Sequence, residues 1–317
     1  MLAFVAAIEC TIRYGSRVTR IVVGSFTPSV LLDVAQAVGR LAEVDLEVEE
    51  VPVTSSPAQF RSLLDGELDV ALTSPDNVLA YRFNPRNPLG ELADVRIVAA
   101  IDRGMGLGLY GRPGTTAADL VGAQVGVDVA TSGFALALYA LAESLGVRRD
   151  QYELVTLGST PRRLQALLAG DCTATMLNAG NELIAEQQGC VRLASGAELL
   201  SPYLGTVVAI AGTARADEAR RLSDALLETA RQIVDGGLDD EVAASAARRL
   251  DLDAELARRY VERLRDPREG LVPDGTVDPG GLETLVRLRT TYLPSPAPDG
   301  GDVLDAALSE GSGLVHG

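Results

Sequence analysis

One stretch of this sequence occurs twice. When VPVTSSPAQFRSLLDGELDVAL (51–72) is laid over VTLGSTPRRLQALLAGDCTATM (155–176), Val51, Ser55, Pro57, Leu63, Leu64 and Gly66 fall on Val155, Ser159, Pro161, Leu167, Leu168 and Gly170. Glu67 likewise falls on Asp171. Each copy predicts strand, turn, helix and strand. Ser56 and Thr160 are suitable N-caps, Pro57 and Pro161 suit the first helical position, and Gly66 and Gly170 can supply the left-handed residue that ends a helix. Leu64 and Leu168 are expected in the core. After each glycine a short apolar run (68–72 and 172–177) stops at small polar residues, Thr73, Ser74, Asp76 and Asn77 in one copy and Asn178 and Asn181 in the other. Ligands of open parallel sheets gather beyond the carboxyl ends of strands. The duplication therefore predicts two similar α/β lobes facing each other across a cleft.

Composition narrows the function. The chain has 317 residues, enough for two ordinary domains, and its 47% hydrophobic content with 4% aromatics and no Trp points to Ala/Val/Leu cores. A formal charge of −16 excludes the basic footprint that nucleic acids and anionic membranes require. Three cysteines, Cys10, Cys172 and Cys190, show no CxxC spacing, so neither a disulfide framework nor a zinc knuckle is signalled. Cys172 is expected to be an inert thiol in a strand. The single histidine, His316, is next to last, which removes histidine triads and HExxH zinc chemistry. No metal and no cofactor are expected.

Along the chain, residues 1–17 carry a short apolar run without the basic region of a signal peptide, and Glu9 stands before Cys10; they are expected to be a dispensable extension. The chain as written is expected to be cytoplasmic, and no segment approaches the roughly 18 apolar residues of a membrane span. Ile21 to Gly24 predicts the first strand, and Thr27-Pro28-Ser29 the turn into a helix running to about Leu41, with its apolar stripe at Val30, Leu31, Val34, Val38 and Leu41. Leu46 to Val53 predicts an edge strand. A helix capped by Asp76 is broken by NPRNPLG (84–90). Strands follow over 95–101 and 106–110, and the first crossing between lobes is placed at Gly111 to Gly114. Gln124 to Val129 then leads through Ala130-Thr131-Ser132-Gly133 into an Ala/Leu helix, whose N-terminus suits an anionic group. Residues 206–211 predict a strand crossing back, 213–265 predict helices covering the first lobe, and the Gly/Ser-rich end after Tyr292 predicts a flexible tail. The expected division is an extension at 1–17, lobe 1 at 18–111 and 206–294, lobe 2 at 112–205, and a tail at 295–317.

The motifs IVVGSFTPS (21–29), LLDGELDVALTSPDN (63–77), VRIVAAIDRG (95–104), QVGVDVATSG (124–133) and LLAGDCTATMLNAG (167–180) occur in an order that resembles the type II periplasmic solute-binding proteins. The nearest branch is that of nitrate, sulfonate, taurine and thiamine-precursor uptake. The resemblance implies two Rossmann-like lobes with a hinged cleft, a small-molecule ligand, and an ABC transporter permease as partner if the chain is exported; such proteins usually are exported or lipid-anchored. A monomer is expected. Carried over onto this sequence, the cleft would be lined by Ser25, Phe26 and Thr27, Ser55 and Ser56, Thr73, Ser74 and Asp76, Arg103, Thr131 and Ser132, and Asn178 and Asn181. Thr173 stands where an acidic residue often follows the second-lobe glycine turn.

The first functional expectation is a binding protein that closes on a small polar or anionic molecule through hydroxyls, amides, helix N-termini and Arg103. Each Ser or Thr could equally serve as a cap or turn residue, and Arg103 could pair with a nearby acid such as Asp102 or Asp76. The alternatives are a cytosolic enzyme on the same scaffold and an intracellular ligand sensor. A desulfinase-like enzyme would want a cysteine after the first strand, where Ser25 and Thr27 stand. An acid–base enzyme could use Asp76 or Asp102, helped by Arg103.

Overall fold

The computed structural model describes residues 18–298, 300–309 and 311–316. The chain opens with β1 (Thr19–Ser25), α1 (Val30–Ala37), the single turn α2 (Arg40–Glu43), β2 (Leu46–Pro52), α3 (Ser56–Leu64), β3 (Val70–Thr73), α4 (Pro75–Phe83) and β4 (Val95–Ala100). It continues with β5 (Gly108–Gly111), β6 (Gln124–Val127), α5 (Gly133–Ser144), β7 (Glu153–Thr156), α6 (Thr160–Ala169), β8 (Ala174–Leu177), α7 (Asn181–Gln187), β9 (Val191–Ser195) and α8 (Gly196–Leu199). Last come β10 (Val207–Ala211), α9 (Ala216–Val234), α10 (Asp239–Leu250), α11 (Ala254–Arg265) and α12 (Pro279–Tyr292).

Among the described residues the strands form two sheets of five, ordered β2-β1-β3-β10-β4 and β7-β6-β8-β5-β9. In the first, β1 runs parallel to β2 and β3; in the second, β6 runs parallel to β7 and β8. The two repeat copies occupy matching places, as β2-α3-β3 and β7-α6-β8. In each sheet an antiparallel strand stands beside the repeat's last strand, β10 next to β3 and β5 next to β8, and β4 or β9 forms the edge beyond it. The fold is thus a mixed α/β structure of two sheet-containing lobes.

Within the repeat, Gly66 and Gly170 take φ of 77° and 86°, the left-handed conformation that ends α3 and α6 without a Cβ penalty. The N-caps fall one residue earlier than expected, at Ser55 and Ser159, because each proline follows the first helical residue; Ser55 Oγ accepts the Ala58 N–H at 3.3 Å. Helix α4 is capped by Ser74 rather than Asp76, whose N–H donates to Ser74 Oγ at 3.3 Å. The inward leucines are Leu63 and Leu167, 4% and 0% exposed, whereas Leu168 is 44% exposed. Adjacent residues differ by about 100° around a helix, so only one of the two can face the sheet.

Helices α9, α10 and α11 lay their apolar faces on the first sheet, joining Ile21, Val23, Val208 and Ile210 to Leu222, Leu226, Val242 and Leu256. A second core runs from β4 through β5 to α5 and α12, including Ile97, Leu109, Leu136 and Leu285, so it is shared between the lobes. Two expectations need correction here. Strand β5 pairs with β8 and β9 of the second sheet, so the first crossing precedes Gly108 instead of following Gly111. The tail is also docked: Leu304 and Leu314 are buried, Leu314 O accepts the Ile97 N–H at 2.8 Å, and the His316 N–H donates to Ile97 O at 2.7 Å. The segment around Leu304 packs on α4 and α12 and the one around Leu314 lies beside β4, all apolar ground distant in sequence. The extension expected at 1–17, with Cys10, lies outside the described residues. Among the described residues no helix is long and apolar enough to cross a membrane.

Candidate functional site

The parallel strands of both sheets end toward a common cavity of about 160 Å³. Its first-lobe wall is the β1–α1 turn (Ser25, Phe26, Thr27, Ser29), the β2–α3 turn (Ser55, Ser56) and the β3–α4 turn (Thr73, Ser74, Asn77). Its second-lobe wall is Asp128 and Ser132 after β6, Ser159, Thr160 and Arg163 on and before α6, and Asn178 after β8. The starts of α1, α3, α4, α5 and α6 all border this space. First-turn amides lack intrahelical acceptors and the dipole end is positive, so each helix start favours an anion, while Asp102 and Asp128 on the same lining work against it.

Several lining groups are held in place by partners. Ser25 Oγ donates to Glu50 Oε1 at 2.6 Å, and the Ser29 N–H reaches the same oxygen at 2.8 Å, while Arg249 pairs with Glu50 from α10. Ser132 Oγ accepts the Ala135 N–H at 3.1 Å and donates to Asp128. Asn77 Nδ2 donates to Thr73 Oγ1 at 3.0 Å, and Asn178 Nδ2 to Gly104 O at 3.3 Å, tying the second-lobe strand end to the crossing. Asp102 also lines the cavity; its carboxyl is held above the usual range, chiefly by burial, although Gly104 N–H donates to Oδ1 at 2.8 Å.

Arg163 was not visible to sequence reasoning. It is 2% exposed, and among the described residues it forms no ion pair. Its Nε and NH1 donate to the carbonyls of Met176 (3.2 Å) and Gly158 (2.7 Å), and NH2 to Thr160 Oγ1 (2.9 Å). Burial lowers its pKa, an effect opposed by the nearby Asp128 charge. Asp128 and Glu50 were missed as well; the one available signal, their place at or next to strand ends, was spent on neighbouring hydroxyls.

Of the expected residues, Ser25, Phe26, Thr27, Ser55, Ser56, Thr73, Ser74, Ser132 and Asn178 border the cavity. Thr131, Asp76, Arg103 and Asn181 do not. Asp76, 1% exposed, receives both Arg289 Nε and NH2 at 2.6 Å, and Arg289 NH2 also donates to Thr131 O at 3.2 Å. The acid is therefore neutralised by α12 in a clasp that touches both lobes. Gly133 opens α5 directly against it: a Cβ there would lie 2.7 Å from the Asp76 Cβ. Arg103 points its guanidinium at Leu271 O instead of an acid, and Asn181 Nδ2 donates to Asn178 O at 3.0 Å, so both act within the framework. Cys172 and Cys190 are buried free thiols off the cavity lining; burial pushes Cys172 up to about 11, as expected for an inert thiol. Among the described residues no group of three or more His, Cys, Asp or Glu could hold a metal ion.

Solved structures share this architecture. A protein from Bordetella bronchiseptica RB50 aligns with TM-score 0.70 at 17% identity, covering 90% of this chain and 92% of its own. The ligand-binding component of an ABC-type import system from Staphylococcus aureus, with zinc bound, aligns with TM-score 0.70 at 15% identity over 93% and 99%. The alkanesulfonate-binding protein SsuA from Xanthomonas axonopodis pv. citri, bound to MOPS, aligns with TM-score 0.68 at 14% identity over 87% and 93%. No curated protein sequence matches. At such identities the likeness concerns the fold alone. The family described as ABC transporter, phosphonate, periplasmic substrate-binding protein matches residues 40–253, more than half of the chain and both repeat copies, and the chain belongs to that family.

Proposed function

We propose that this protein captures a small organic oxoanion, a phosphonate or a sulfonate, between its two lobes and presents it to an ABC transporter permease. The observation that carries this reading is Arg163, a buried guanidinium that among the described residues is in no ion pair, on a cavity ringed by helix starts. Burying a charge is costly, and since Asp128 acts on Arg163 only without a direct ion pair, an anionic ligand can supply the bonded partner. The seryl and threonyl hydroxyls at the strand ends can add donors to such a group. The sulfonate side of the proposal is supported by the SsuA likeness in fold, the phosphonate side by the family. Lobe closure about the two crossings, and a monomeric state, belong to the same proposal.

The test is calorimetry of the parent and of Arg163→Gln with methylphosphonate, methanesulfonate and their ethyl and propyl analogues. Charge-assisted hydrogen bonds are worth about 1.5–3 kcal/mol. The variant should therefore bind about 10- to 100-fold more weakly, with urea unfolding confirming that it folds. Parent-like affinity in a folded Arg163→Gln protein would remove the anion from this cavity.

A further inference from the structure

A second chamber of about 360 Å³ adjoins the first and shares Ser56, Asn77, Val129 and Ser132 with it. The two are therefore contiguous. One wall of the second chamber is a face of α4, where Asn77, Ala80 and Tyr81 follow the i, i+3, i+4 spacing of a helical stripe, with Asn84 just past the helix end. Among the described residues no Asp or Glu lines it, and two arginines do. The charge of Arg289 is already met by Asp76. That of Arg86 is not: its Nε and NH2 donate to Ser295 Oγ at 3.3 and 2.8 Å and its NH2 to Pro294 O at 3.1 Å, all neutral acceptors, and among the described residues it forms no ion pair.

From this arrangement we infer that the ligand is elongated and doubly anionic, its phosphonate or sulfonate head in the first cavity and a carboxylate at its far end in the second chamber, facing Arg86. The inference rests on the oxoanion reading above and adds the class of the ligand's other end. Ser295 and Pro294 hold the guanidinium at the chamber before any ligand arrives, so little ordering is needed on binding. A carboxylate suits the position because NH1 of Arg86, unlike its Nε and NH2, donates to no residue among those described, and a guanidinium N–H bonds strongly to a carboxylate oxygen.

The experiment compares, by calorimetry on the full chain, propylphosphonate with 3-phosphonopropionate and propanesulfonate with 3-sulfopropionate, in the parent and in Arg86→Gln. In the parent the carboxylate-bearing member of at least one pair should bind tenfold or more tightly than its singly charged counterpart. Arg86→Gln should erase that preference and leave the singly charged ligands unchanged. Because Arg86 is at the solvent edge, the preference should also shrink as salt is raised. Singly charged ligands that bind, with no gain from the carboxylate, overturn the second-chamber inference and leave the oxoanion reading standing. An equal loss for both members in Arg86→Gln overturns it too, and failure of all four ligands to bind the parent overturns both readings.

Discussion

Arg289→Met would leave the Asp76 carboxylate 1% exposed and without a counter-charge, since both of its oxygens are bonded to that guanidinium at 2.6 Å. Removing one partner of a buried pair costs about 3–5 kcal/mol, because the survivor's desolvation is no longer offset. Replacing the carboxylate in the same background, as in Asp76→Asn/Arg289→Met, removes the stranded charge, and most of that loss should return, leaving a deficit of about 1–2 kcal/mol. The remainder includes the Arg289 bond to Thr131 O across the lobes, worth about 1 kcal/mol. Urea unfolding of the parent, both single variants and the double variant closes a double-mutant cycle. Since Asp76→Asn alone also strands a buried partner, the expected coupling is at least about 2 kcal/mol. If the double variant is as unstable as the two single losses added together, the pair is not acting as a buried clasp and this reasoning fails.

Two further outcomes follow from the structure. Glu182, fully buried on α7, has its pKa raised from 4.5 to about 7, first by burial and against the pull of Arg263, which it shares with Glu269; Glu186 adds to the rise. The folded state thus holds this proton more tightly than the unfolded chain, so the group costs stability progressively as pH rises from about 4.5 to about 7. Glu182→Gln, which keeps an acceptor for the Gly180 N–H, should flatten that slope and gain up to about 3 kcal/mol at pH 8. An unfolding profile whose slope between these values is the same in the variant refutes the assignment. In the repeat, Leu167→Ala should cost about 2–5 kcal/mol and Leu168→Ala less than about 1 kcal/mol. Equal losses in denaturant midpoints would mean that α6 is seated differently on its sheet.

The duplication made the matching halves legible because its cues are local. A proline one residue into the first turn, a glycine at the left-handed stop and an apolar run of strand length act over a single turn, and they recur at β2-α3-β3 and β7-α6-β8. The strand-end hydroxyls followed from the same logic, since parallel strands that end together deliver their next residues to one place. What sequence left open was set by partners distant along the chain. The run at 108–111 is equally apolar whichever sheet receives it, and only pairing with β8 and β9 assigns it. Asp76 reads as a ligand group until α12 brings Arg289, 213 residues away, onto both of its oxygens. Arg163 reads as one charge on a solvated helix until the seating of α6 turns it inward. A side chain's local propensity is written in its immediate neighbours, but whether its charge is spent on the protein or left for a ligand depends on which distant element is packed against it, and that is fixed only when the whole chain has closed around its cores.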